Sequence, residues 1–258
     1  MSPTAAYLVL AFLGGLAFGG FATVAVFRLP RNYSVVSPRS SCPNCETVLA
    51  WYDTIPVISW LVLRGRCRTC QHPVPVTYPV IELATGLVWV AIVARLGVHP
   101  ELPAFLAFGT SLVILSAIDI QHHRLPNNVL GPASIVAAVL LVAAAAYHGR
   151  WTNLEHAAIG AVAYGVPMLL IGLAAPSAMG GGDVKFAPYL GFHLGWFGLT
   201  LVAGGALLGL LLGGLGGALL LLVGRKGLKD AIPFGPFMAL GAYTMLLIGP
   251  AVLKPWIG

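Results

Sequence analysis

Residues 5–27 read AAYLVLAFLGGLAFGGFATVAVF, an apolar stretch without a single charged side chain. A helix of about 20 such residues crosses the roughly 30 Å hydrocarbon core of a lipid bilayer. No basic segment precedes the stretch and no small-residue cleavage site follows it. We therefore expect an uncleaved membrane helix here rather than a signal peptide.

Further apolar stretches follow the first one along the chain. They cover residues 79–98, 102–120, 128–147, 155–175, 184–223 and 233–253. The stretch at 184–223 is too long for one crossing, and we place a break near His193-Leu194-Gly195-Trp196, since aromatic residues suit a membrane interface. The pattern predicts an all-α polytopic membrane protein with about eight transmembrane helices. Seven helices and a re-entrant short segment are the alternative.

The composition agrees with a protein whose main solvent is lipid. Hydrophobic residues make up 58% of the 258 positions and charged residues 9%, and the mean hydropathy is +0.89. A soluble domain carries about 25% charged residues, so a water-exposed globular surface is excluded. The net charge of +6 is better explained by basic loops at the cytoplasmic membrane face than by a nucleic-acid partner.

The basic residues also predict an orientation. If residues 28–77 are cytoplasmic, alternation of eight helices places eleven of the fourteen Lys and Arg on that side, against three in the reverse orientation. The eleven are Arg28, Arg31, Arg39, Arg64, Arg66, Arg68, Arg124, Lys185, Arg225, Lys226 and Lys229, and the three outside are Arg95, Arg150 and Lys254.

The long polar stretch at residues 28–77 holds all four cysteines. They form two C-x2-C pairs, Cys42 with Cys45 and Cys67 with Cys70, separated by 21 residues. Two such pairs can supply four thiolates to one structural Zn²⁺ ion. On the predicted cytoplasmic side disulfides are disfavoured, and a redox dithiol or an iron–sulfur site are the alternatives.

Two acidic residues, Asp119 and Asp183, are tied to predicted inner helix ends. Asp119 ends an otherwise apolar helix, and Asp183 follows three glycines in Gly180-Gly181-Gly182-Asp183-Val184-Lys185. An ionisable group at membrane depth is costly and marks a functional site by default. Two nearby carboxylates can share one proton, so that one activates water while the other polarises a peptide carbonyl.

From these residues alone a structural role stays open for each acid. Asp183 could be a helix N-cap, and Asp119 could pair with Arg124 or Lys185. His122 and His123 follow Asp119 directly, but interfacial histidines are usually solvated, and we leave them out of the predicted catalytic set.

In order along the chain, several motifs resemble those of the type IV prepilin peptidases, membrane aspartic proteases with a Gly-x-Gly-Asp motif. The resemblance covers most of the chain. Its motifs are Phe27-Arg28-Leu29-Pro30-Arg31, the paired cysteines, residues 51–60, Tyr78-Pro79-Val80-Ile81-Glu82-Leu83, Asp119 with Leu125-Pro126-Asn127, residues 180–185, and Pro233-Phe234-Gly235-Pro236-Phe237.

The resemblance implies that Asp119 and Asp183 are the catalytic aspartates. It implies cleavage of the short basic leader of type IV pilin or pseudopilin precursors, after a glycine, at the cytoplasmic face of the bacterial inner membrane. Many members also methylate the new N-terminus with S-adenosylmethionine, although no methyl-donor fingerprint is visible here. The cysteine loop together with Glu82 is the expected place for that activity.

With that resemblance, the predicted parts are a first transmembrane helix at 1–27, a cytoplasmic four-Cys zinc-binding loop domain at 28–77, and a transmembrane peptidase core at 78–258. The chain departs from the family pattern at Glu46, where glycine is frequent after the first C-x2-C pair. It also departs at residues 20–24, where many relatives carry Ser and Asn. The second departure bears on methylation, and neither touches the aspartates.

Other function classes give different expectations. A peptidase without methyltransferase activity is one alternative. An ion-coupled transporter would use Asp119 and Asp183 for cations, but its site would lie near the membrane midplane. A non-catalytic assembly scaffold would use the zinc loop for docking and would leave the paired acids without a role.

Overall fold

A computed structural model describes residues 3–175, 179–222 and 233–257. Within these residues the regular secondary structure is helical apart from two isolated β-bridges. The α-helices are α1 (Pro3–Arg28), α2 (Ile58–Val62), α3 (Thr77–Leu96), α4 (Leu102–His122), α5 (Asn127–His148), α6 (Trp151–Ala174), α7 (Gly181–Gly195), α8 (Leu199–Leu222) and α9 (Gly235–Ile257). The all-α class is therefore confirmed.

Six of these helices, α1, α3, α4, α5, α6 and α8, are long and apolar enough to cross a membrane. The break expected near residues 193–196 is present, since α7 ends at Gly195 and α8 begins at Leu199. With 15 residues, α7 is about 22 Å long and shorter than the hydrocarbon core. The chain is a multi-pass membrane protein.

The predicted orientation rests partly on Arg225, Lys226 and Lys229, which lie outside the described residues. It stays a prediction. The chain divides into two compact units, residues 1–98 and 99–258. The predicted parts at 1–27, 28–77 and 78–258 follow composition rather than compactness, and they too stay a prediction.

In the first unit, α1 and α3 pack with their backbones in close approach. A Cβ on Gly15 would lie 2.7 Å from the Cα of Gly86, and a Cβ on Gly19 would lie 2.6 Å from the Cα of Glu82. Small residues at such points let membrane helices approach without a hydrophobic driving force. This packing holds together the two ends of the intervening loop, which contains the cysteines.

In the second unit, α4 and α7 share a buried core. Phe108 of α4 stacks on His193 of α7 with ring centroids 4.0 Å apart, and the hydroxyls of Ser111 and Tyr189 lie 2.7 Å apart. A hydrogen bond between two buried hydroxyls fixes register more strictly than apolar packing does. The pairing sets the height of α7 along α4, and with it the position of Asp183 relative to the end of α4.

Candidate functional site

Asp119 lies in the last turn of α4 and is only 4% exposed. Its Oδ2 accepts a hydrogen bond of 3.0 Å from the backbone N–H of Gly235, the first residue of α9. A Cβ on Gly235 would lie 2.9 Å from the same oxygen. A side chain at this position would push the two groups apart, so the contact depends on glycine.

Asp183 lies in the first turn of α7 and is half-buried. The N-cap of α7 is Gly180. The Asp183 carboxylate turns back and accepts a hydrogen bond from the backbone N–H of Gly180. Asp183 is therefore the third helical residue and not the N-cap itself. A third-position acid that reaches back to the cap helps to start a helix.

The two acids come together around Leu125. A Cβ on Gly182, next to Asp183, would lie 3.0 Å from Leu125 Cβ, and a Cβ on Gly235 would lie 3.3 Å from Leu125 Cδ2. The Asp119 carboxylate lies near enough to act electrostatically on Asp183. The structure thus brings the acids from the ends of two helices within electrostatic range of each other.

Neighbouring polar groups surround the pair. Lys185 Nζ donates to Asn127 Oδ1 at 3.3 Å, so its recorded hydrogen bond goes to Asn127 rather than to Asp119. His123 lies near enough to act on the charge of Asp119, and Tyr164 of α6 lies within electrostatic range of Asp183.

The sequence did not predict that two further residues, Gly235 and Tyr164, belong to this site. Gly235 belongs to the quoted motif at 233–237, but it is 116 positions from Asp119, and no spacing rule links them. Tyr164 lies in an apolar helix without a motif around it, so the sequence carries no signal for it.

The four cysteines form a second site, in the first unit. Their Sγ atoms all lie within 4.8 Å of one another, with 3.7 Å between Cys42 and Cys70 and 3.9 Å between Cys45 and Cys67. A tetrahedral Zn²⁺ with Zn–S bonds of about 2.3 Å needs sulfur–sulfur edges of about 3.8 Å. The cysteine cluster therefore fits a metal ion such as zinc.

Each C-x2-C pair is folded in the same way. Cys42 N–H donates to Thr47 O and Glu46 N–H to Cys42 O in the first pair. In the second, Cys67 N–H donates to His72 O and Gln71 N–H to Cys67 O. An isolated antiparallel bridge closes each turn. The residue after each pair has positive φ, +57° at Glu46 and +58° at Gln71.

The turns also tune the thiols. The hydroxyl and backbone of Thr47 lower the pKa of Cys45 to about 6, and the backbone N–H groups of Cys70 and Thr69 lower the pKa of Cys67. Backbone N–H groups act in the same direction on Cys42, but burial and the neighbouring thiols raise its pKa to about 11. Metal ions bind the thiolate form, so a bound cation would favour deprotonation of the cluster.

Glu82 links the loop to α3. It is buried, and its Oε2 accepts a hydrogen bond of 2.6 Å from the backbone N–H of Val57. Val57 has φ +62° and ψ −49°, a conformation that is costly for a β-branched residue. The carboxylate therefore holds a strained turn of the loop against the helix.

Comparison with known proteins matches both parts of the chain to family models. Residues 13–96 match the bacterial peptidase A24 N-terminal domain, and residues 106–222 match the type IV leader peptidase family. The first match contains the four cysteines and Glu82, and the second contains Asp119 and Asp183. No solved structure matches the chain.

Curated relatives match over nearly the whole length. A protein of Bacillus subtilis is 31% identical over 97% of this chain and 98% of its own length. One of Myxococcus xanthus is 38% identical over 86% of this chain and 65% of its own length. One of Aeromonas hydrophila is 33% identical over 96% of this chain and 93% of its own length.

All three relatives are named prepilin leader peptidase/N-methyltransferase. The matches give no support to a transporter or an assembly scaffold. Because the similarity extends over almost all of the chain and of two of these relatives, the chain belongs to the type IV leader peptidase family.

Proposed function

We propose that this protein cleaves the leader of type IV pilin-like precursors, with Asp119 and Asp183 as its catalytic aspartates. The observation that carries the proposal is the meeting of the two acids at the ends of α4 and α7, with Asp119 buried against the backbone of Gly235. Family membership supplies the reaction, since relatives are named for prepilin cleavage.

The chemistry follows from two carboxylates that share one proton. The charged carboxylate takes a proton from a water molecule, and the resulting hydroxide attacks the scissile carbonyl. The protonated carboxyl donates its proton to the carbonyl oxygen, so a neutral tetrahedral intermediate forms. Its collapse breaks the C–N bond, and the proton taken from water passes to the leaving amine. A hydroxyl proton of the intermediate returns to the second carboxylate as the new C-terminal carboxylic acid forms. Both acids end as they began.

The glycines around the pair favour a peptide substrate. Gly181 has no atom near the place of a Cβ, whereas Gly182 and Gly235 are pressed against Leu125. The first leaves room for an approaching backbone and the other two hold the acids in place. A precursor with a basic leader in the cytoplasm and a hydrophobic helix in the membrane would present its scissile bond at the inner face.

We propose the inner membrane as the location, with the cysteine loop and both aspartates on the cytoplasmic side. The excess of Lys and Arg in the loops assigned to that side supports this orientation. The same proposal divides the chain into the first helix at 1–27, a zinc-binding loop domain at 28–77 and the peptidase core at 78–258.

We also propose N-methylation of the new N-terminus, because the relatives carry that activity in their names. S-adenosylmethionine would supply the methyl group. Zn²⁺ held by Cys42, Cys45, Cys67 and Cys70 would be structural, since four thiolates leave no open coordination position for a substrate. The Zn²⁺ would hold the two turns of the loop together.

The test is a cleavage assay with the reconstituted full-length protein and a pilin precursor. Asp119→Asn and Asp183→Asn should each lower the rate about 10³-fold or more, because general acid–base catalysis accounts for factors of about 10² to 10⁴. Glu155→Gln removes an exposed acid of α6 and should leave the rate unchanged. Normal cleavage by either Asn variant would refute the assignment of the pair, and labelled methyl donor in the same assay tests the second activity.

A further inference from the structure

A cavity of about 290 Å³ lies in the first unit, beside the C-terminal end of α1. One wall is formed by Phe21, Val24 and Arg28 of α1, and the other by loop residues that include Arg39 and Trp51. It contains none of the cysteines. Neither the cleavage chemistry nor the metal site uses it.

The cavity is apolar at one end and cationic at the other. Phe21 and Val24 precede Arg28 by seven and four residues. They therefore lie about 10 and 6 Å from Arg28 along α1, toward its N-terminus. Because α1 is long and apolar enough to cross the membrane, these two side chains lie at the depth of lipid chains. Arg28 ends α1, and a basic residue at the end of a membrane helix reaches the headgroup region.

The two arginines have different roles. The guanidinium of Arg28 donates to Ser34 O at 3.0 Å and to Pro38 O at 2.8 Å, so it fixes the loop wall. Arg39 is exposed, and within the described part of the chain its guanidinium has no recorded hydrogen bond or ion pair. Arg39 is therefore the cation available to a ligand.

The lining selects for negative charge. None of the described residues that line the cavity is acidic, so a cationic ligand would face two arginines without compensation. S-adenosylmethionine carries one carboxylate against a sulfonium and an ammonium group, so it is a net cation and is disfavoured for this reason. A phosphate on an apolar body satisfies both ends of the cavity.

The rim of the cavity has the character of a membrane-surface contact. Trp51 is 74% exposed and Val36 is 86% exposed, although both belong to the polar loop. Large apolar side chains exposed beside arginines are typical of segments that lie at the headgroup level. The rim adjoins α1, because Phe21, Val24 and Arg28 line the same cavity.

We propose that this cavity binds an anionic phospholipid, with the phosphate at Arg39 and the acyl chains along Phe21 and Val24. The lipid would fix the loop to the membrane surface at a point separate from the cysteines. The proposal does not depend on the peptidase assignment, because lipid binding is measured without a substrate.

The experiment is native mass spectrometry of the full-length protein in detergent, titrated with phosphatidylglycerol or phosphatidylcholine. Wild type should retain phosphatidylglycerol more strongly than phosphatidylcholine. Arg39→Gln should weaken phosphatidylglycerol binding about fivefold, the effect of roughly 1 kcal/mol for one basic residue near an anionic lipid surface. Arg66→Gln is the matched control, because Arg66 is exposed in the same loop and does not line the cavity.

Three results would overturn the proposal. Equal binding of the two lipids would remove the selectivity for negative charge. Unchanged phosphatidylglycerol binding by Arg39→Gln, in a protein that retains its metal, would remove the assigned cation. Displacement of the lipid by millimolar inorganic phosphate would make free phosphate, and not a lipid, the ligand.

Discussion

The cysteine site and the aspartate site are built in opposite ways. The four cysteines lie within 29 consecutive residues, in two turns with the same hydrogen-bond pattern. The two aspartates are 64 positions apart on different helices. A third helix, α9, supplies the backbone N–H of Gly235, which donates a hydrogen bond to Asp119. The first site is formed by local turns, whereas the second exists only when the helices are packed.

This difference separates what each site depends on. A local site with a bound metal is stabilised by its ligands, so the ion contributes directly to folding. A site between helices depends on the close approach of backbones, so small changes in packing move its reactive atoms. The cysteine site should therefore lose its metal when one ligand is removed. The aspartate site should lose cleavage activity when a side chain is added where its helices meet.

The largest effect is expected from removing one thiolate. Structural Zn²⁺ binds small four-ligand sites with about 10–16 kcal/mol, so loss of one ligand in four should weaken metal affinity on the order of 10³-fold. Cys67→Ser should therefore lose zinc in a chelator competition measured by elemental analysis. Ser41→Ala, next to Cys42, should keep it.

The same variant tests the independence of the two sites. The recorded contacts of Asp119 and Asp183 all lie within residues 99–258. Cys67→Ser should therefore retain measurable leader cleavage, unlike Asp119→Asn. A Cys67→Ser protein with full zinc content would contradict the four-thiolate site.

The second effect comes from added volume at the aspartates. In Gly235→Ala the new Cβ would lie 2.9 Å from Asp119 Oδ2 and 3.3 Å from Leu125 Cδ2, so α9 or the carboxylate must shift. Misplacement of a catalytic group by about 1 Å costs up to about 100-fold in rate, and we expect a loss of 10- to 100-fold in cleavage.

The matched control for Gly235→Ala is Gly131→Ala. It adds the same methyl group to α5, where no atom lies within 4 Å of the new Cβ, and it should cleave at close to the wild-type rate. Equal rates for Gly235→Ala and wild type would show that the close approach at α9 does not position Asp119.

The same contrast explains what could be predicted from the sequence. The cysteine geometry follows from two C-x2-C spacings, and the helices and the break before Leu199 follow from apolar length. Topology could bring Asp119 and Asp183 to one face. It could not predict the contact with Gly235 or the place of Tyr164, because these depend on helix packing between residues far apart in the chain.

A smaller effect is expected where the loop meets α3. Glu82→Gln keeps an acceptor for Val57 N–H but removes its charge, which should cost about 1–2 kcal/mol of local stability. Amide hydrogen exchange at residues 55–60 should then become about tenfold faster. The exposed Glu46→Gln is the control, and unchanged exchange in Glu82→Gln would mean that the carboxylate does not hold the turn.

The smallest effect concerns the departure at Glu46. Its φ of +57° costs an ordinary residue roughly 1–2 kcal/mol and glycine almost nothing, while the added freedom of glycine in the unfolded chain offsets about 0.5–1 kcal/mol. The midpoints of these ranges leave a net gain of about 0.75 kcal/mol, so Glu46→Gly should slow zinc release to a chelator by about three- to fourfold. Glu46→Val should speed it, because β-branched side chains tolerate this conformation least. Gln71 has φ +58° at the same position of the second turn, so Gln71→Gly should act in the same direction as Glu46→Gly. If one glycine variant slowed zinc release and the other sped it, the two turns would not respond alike to the same backbone conformation. The geometry of the cysteine site would then depend on more than the two local turns.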